Sequence, residues 1–108
     1  MKSTYRAAFI VPIGANKILG EDGWEFQTQK RITVVAKEFL ISALKLRFLE
    51  SYLGIDAYIG DNIKMSVIYD DACQIESIAF QMYSDSVTVL SKAFIAGKLS
   101  NESELFIP

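Results

Sequence analysis

The 108-residue sequence contains no histidine. That removes the commonest general base, the commonest metal ligand and the usual physiological pH switch together. Ser-His-Asp and Cys-His catalytic sets are excluded outright. The single cysteine, Cys73, cannot close an internal disulfide. Such usage fits a reducing compartment, so a cytoplasmic protein is expected. Two prolines and six glycines are too few to suggest a disordered or collagen-like chain. No apolar run approaches the roughly 20 residues that span a bilayer. Lys2 and Arg6 flank the start of a short apolar stretch, AAFIVPIGA, which contains Pro12. A first β-strand is expected there rather than a cleaved signal segment. The glycine-bearing segment that follows, GANKILGEDGW, matches neither GxxxxGK[ST] nor GxGxxG, which argues against a phosphate loop.

What is present has a globular balance: 51% hydrophobic and 22% charged residues. One compact domain over residues 1–108 is expected, burying roughly two thirds of the surface that its unfolded chain exposes. Residues 4–13 read as a strand apolar on both faces, with Tyr5, Ala7, Phe9, Val11 and Ile13 on one side and Ala8 and Ile10 on the other. Residues 14–24 read as a loop with an Asp22-Gly23 turn. Residues 28–54 are expected to form one long helix. Ile32, Val35, Ala36, Phe39, Ala43, Leu46, Leu49 and Leu53 recur at helical spacing, Thr28 is placed to cap the start and Gly54 to cap the end. The β-branched run ITVV is the one vote for strand within it, and a strand running into a shorter helix stays open. This segment is apolar over more than one stripe, through Val34, Ile41, Leu44, Phe48 and Tyr52, so either it packs on two sides or part of it is an oligomer or partner surface.

A short strand at 55–59 with a Gly60-Asp61-Asn62 turn carries a weaker signal. Period-two alternation through Met65, Val67 and Tyr69 and through Ile78, Phe80 and Met82 marks a hairpin. A second helix is expected over 84–98, capped by Ser84 or Asp85 and ended by Gly97, with Val87, Leu90 and Phe94 inward. LFIP supplies a last short strand. The order strand, helix, strand, strand, helix, strand is that of a ferredoxin-like (split βαβ) sandwich. The expected class is therefore α+β, a two-layer sandwich with an antiparallel sheet and two helices on one face.

Between the two hairpin strands lies VIYDDACQIESIAF, which sets Asp70, Asp71, Cys73 and Glu76 within seven residues. One soft ligand does not make a zinc site, and the spacing lacks the rhythm of a calcium loop. Cys73 has acidic sequence neighbours and lacks the adjacent base or cation that activates a thiol as a nucleophile. A hairpin turn is the expected role, with no metal and no cofactor.

The charge distribution is less ordinary. Residues 56–85 carry six carboxylates, Asp56, Asp61, Asp70, Asp71, Glu76 and Asp85, against Lys64 alone. Residues 30–47 carry Lys30, Arg31, Lys37, Lys45 and Arg47 against Glu38 alone. These basic residues do not share one helical face and the chain is acidic overall, which argues against nucleic acid as a partner. The acidic region instead reads as a docking surface for a protein partner with a basic surface, such as a nuclease-like toxin, with Trp24 as a further anchor. The function expected is a non-catalytic immunity protein, antitoxin or inhibitor, with no membrane partner. A dimeric small-molecule-binding regulatory or assembly domain is the alternative.

Overall fold

A computed structural model describes residues 5–83 and 85–108. The chain is α+β. Strand β1, Tyr5–Pro12, is followed by a hairpin of β2, Asn16–Gly20, and β3, Gly23–Gln27. Helix α1, Val34–Ala43, leads to β4, Arg47–Tyr52; β5, Ile55–Gly60; β6, Ile63–Tyr69; and β7, Ile75–Tyr83. Helix α2, Ser86–Ala96, a 3-10 turn at Leu99–Asn101 and strand β8, Ser103–Phe106, complete the fold. Six strands form one antiparallel sheet in the order β4-β5-β6-β7-β1-β8, and β2-β3 form a separate two-stranded sheet.

Strand alternation decides where the core sits. Ala8 and Ile10 of β1, Met65 and Val67 of β6, and Ile78, Phe80 and Met82 of β7 bury against one helix layer. Ala36 and Leu40 of α1 and Leu90, Ala93 and Phe94 of α2 fill it from the other side. On the opposite face Phe9 meets Phe26 of the small hairpin at 5.1 Å between ring centroids. Trp24 stands edge-on to Phe106 of β8 at 4.8 Å. The β2-β3 hairpin is thereby pinned over the β1-β8 end of that face, and the Lys17–Glu104 ion pair at 2.6 Å fastens it.

Several expectations change. The 28–54 segment is not one helix: α1 spans ten residues and the chain then becomes strand β4. The stop is a Schellman motif. Leu46 N–H donates to the Ile41 carbonyl at 2.9 Å and Lys45 N–H to that of Ser42 at 3.2 Å, with Lys45 left-handed at φ +53°. Leu46 then buries in the core beside this reversal. The cap at the start is Thr33 rather than Thr28: its Oγ1 accepts from Ala36 N–H at 3.1 Å. Gly54 ends no helix; it joins Leu53 in the two-residue turn that pairs Tyr52 with Ile55. The apolar excess of the segment serves a helix face and then a strand. Residues 16–27 form a hairpin rather than a loop, turning at Glu21-Asp22, with Gly23 at φ +112°. The 55–59 strand is present as β5, paired on both sides. Ser84 lies outside the described residues, and Asp85 holds the N-cap position of α2 without a side-chain hydrogen bond. Strands β4 and β5 take the main sheet to six, where the ferredoxin-like order has four.

Candidate docking surface

The 70–74 turn is organised by Asp70. Asp70 N–H donates to the Gln74 carbonyl at 2.8 Å, and Cys73 N–H donates to the Asp70 carbonyl at 3.0 Å. The Asp70 carboxylate then accepts from the N–H groups of Ala72, at 2.8 Å, and Gln74, at 2.9 Å. Its other oxygen accepts from Arg31 Nε at 2.7 Å. The Arg31 guanidinium, followed by the turn N–H groups, holds the Asp70 carboxyl below its ordinary pKa, because each interaction favours the charged form. Arg31 in turn donates to the carbonyls of Thr28 and Lys30, and Ile32 N–H donates to the Ile75 carbonyl at 2.9 Å. The segment before α1 is thus laid along the start of β7 by one ion pair and one bridge.

Asp71 and Cys73 are exposed on this turn, Cys73 at φ +60°. Glu76 is half-buried at the start of β7, beside a register shift in the β6-β7 ladder. Among the described residues no three His, Cys, Asp or Glu side chains approach one another closely enough to hold a metal ion. The close sequence spacing of Asp70, Asp71, Cys73 and Glu76 therefore does not become a convergent ligand set.

The six carboxylates divide between the two ends of the sheet. Asp70, Asp71 and Glu76 lie at the end where β6 turns into β7. Asp56 sits near that end on β5, opposite Val67, and accepts from Ser51 Oγ at 2.7 Å. The Leu53-Gly54 turn joins the same end, since Tyr69 N–H donates to the Gly54 carbonyl at 2.9 Å. Asp61, in the β5-β6 turn, and Asp85, before α2, lie at the other end. There Asp61 shares a 370 Å³ cleft with Lys45, Arg47 and Ser86. Strands of seven to nine residues separate the ends by about 25 Å. Trp24 belongs with neither group; it is half-buried on Phe106 over the β8 edge of the sheet.

Two features escaped the sequence reading. Lys37 of α1 reaches down to Tyr69, its Nζ donating to the hydroxyl at 3.4 Å, with Tyr58 close by. Burial works against the Lys37 ammonium, but the Tyr69 hydrogen bond and the electrostatics of Tyr69, Tyr58 and Glu38 outweigh it and raise its pKa. Burial likewise raises the pKa of Tyr58, with Lys37 opposing. Lys37 and the two tyrosines thus form one packed polar contact between α1 and the sheet. The second is that the apolar excess expected on a long helix lies on the edge strand β4, where Phe48, Leu49, Tyr52 and Leu53 are all exposed.

No family model matches the chain, and no curated protein or solved structure is significantly similar to it.

Proposed function

We propose that this protein is a non-catalytic binding domain that docks on a macromolecular partner bearing a basic surface, as a cytoplasmic immunity protein, antitoxin or inhibitor does. The observation that carries the proposal is the charge balance of the 70–76 end. Asp70 is neutralised by Arg31, whereas Asp71 and Glu76 make no ion pair among the described residues. Unpaired carboxylates on a rigid turn supply a fixed field that steers a basic partner and orients it on encounter. Asp61 contributes less, because it shares a cleft with Lys45 and Arg47. The order β8-β1-β7-β6, with α1 and α2 on one face, supports reading the scaffold as a ferredoxin-like core with two inserted hairpins.

The test is Asp71→Lys combined with Glu76→Lys. Asp70 is left in place, because it builds the turn. Association with the partner weakens by about 10-fold or more and loses much of its salt dependence. Unchanged affinity and unchanged salt dependence in the double variant contradict the reading.

A dimeric ligand-binding or assembly domain is the second reading. The exposed apolar strand β4 is the observation that favours it.

A further inference from the structure

Strand β4 is a terminal strand of the six-stranded sheet, with no neighbour on its outer side among the described residues. Free edges of this kind are normally blunted by lysines, prolines or shortness. This one has a single register shift, between Phe48 and Glu50, and carries Arg47 and Glu50, yet it also exposes a run of large apolar side chains. Leu49 is 47% exposed, Tyr52 69% and Leu53 82%. Leu53 is disfavoured twice. It exposes nearly its whole side chain, and it sits at φ +49° in a two-residue turn whose φ > 0 positions suit Asn or Gly. A residue that costs the monomer on both counts points to a use outside the monomer.

We infer that β4 pairs antiparallel with β4 of a second copy about a two-fold axis at Ser51. The register follows from hairpin geometry. A two-residue turn closes on a pair that exchanges both hydrogen bonds, here Tyr52 with Ile55. One residue back, Ser51 therefore turns its N–H and C=O outward. Two copies of Ser51 exchange those bonds with each other. Glu50 then faces Tyr52 of the second copy, a carboxylate opposite a phenol, and Leu49 faces its Leu53. Each contact occurs twice, so the patch is self-complementary, as a two-fold interface requires. The antiparallel arrangement also sets Arg47 of one copy opposite Ile55 of the other, beside its Asp56. That charge complementarity selects a second copy over an unrelated strand. Complete cover of the exposed apolar side chains would bury at most about 1,000 Å² between the two copies, at the low end for specific interfaces, so a weak, micromolar dimer is expected.

Sedimentation velocity over about two decades of concentration, at low and high salt, tests the inference. The wild-type chain shifts from monomer to dimer, less readily at high salt. Ser51→Pro removes the outward N–H without touching the β4-β5 ladder, and weakens the dimer about tenfold or more. Ser51→Ala, which loses the same hydrogen bond to Asp56, keeps the dimer. A wild-type chain that stays monomeric throughout overturns the inference, as does a dimer that Ser51→Pro leaves unchanged. If Ser51→Pro does not fold, Leu53→Asn decides: a weaker dimer supports the edge and an equal one overturns it. Asp71→Lys with Glu76→Lys probes the partner surface, so failure of one idea leaves the other standing.

Discussion

The Asp70 carboxylate serves three donors, Arg31, Ala72 and Gln74, and so links the 70–74 turn to the chain before α1. Because its pKa is depressed in the folded state, its contribution is fully present above the unfolded aspartate pKa. It is lost as pH falls through the lower, folded value. Asp70→Asn is expected to lower the thermal midpoint at neutral pH, with the gap to wild type closing in acid. Circular dichroism melts across pH read this directly, and a gap that does not narrow in acid contradicts the role. Thr33→Ala, which deletes the helix cap, is expected to cost about 1 kcal/mol in urea unfolding. Residue chemistry also explains what the sequence concealed. Among the described residues, five non-glycine residues have positive φ: Lys45, Leu53, Asn62, Cys73 and Lys98. Only Asn62 is of a type that advertises this conformation. Lys45 and Leu53 mark the two reversals that cut the 28–54 segment, and neither looks like a breaker.

Helix α1 and strand β4 show how two periods can overlap in one stretch of sequence. Leu46, Leu49 and Leu53 continue the spacing of Phe39 and Ala43, yet Phe48 pairs with Tyr58 and Tyr52 with Ile55 across a ladder. Packing decides the outcome: Leu46 buries beside the α1 reversal, while the following residues extend the sheet past β5. Elements with unambiguous patterns were legible, namely β1, the β6-β7 hairpin with its DDACQ turn, α2 and β8. The 16–27 hairpin was not, since its glycines and charges outweigh its few apolar residues. Helix packing offers a further check. A Cβ on Gly97, at the end of α2, would lie 2.5 Å from the Phe39 ring of α1. Gly97→Ala is expected to destabilise by about 1–3 kcal/mol, partly recovered by Phe39→Leu, in denaturant melts. At the β4-β5 turn, Leu53→Asn is expected to stabilise the monomer by about 1 kcal/mol. A loss of monomer stability would show that Leu53 packs favourably after all.

Across the whole molecule the six carboxylates that cluster in sequence occupy two ends of one sheet, about 25 Å apart. Sequence order reported the charge imbalance correctly but not its partition, because antiparallel strands send neighbouring turns to opposite ends. Asp71 and Glu76 at the 70–76 end make no ion pair among the described residues, and neither do Asp61 and Asp85 at the other end, where Asp61 lines a cleft with Lys45 and Arg47. No helix among the described residues is long and apolar enough to cross a membrane. A binding role through the 70–76 end requires that a partner respond both to salt and to those particular charges. The most direct measurement is a pull-down from the native host, run side by side with wild-type bait and the Asp71→Lys, Glu76→Lys double variant, each washed at low and then high salt. The account predicts one stoichiometric basic protein, retained by the wild type at low salt, released at high salt and absent from the variant. A partner retained equally by both baits, or one indifferent to salt, would contradict it.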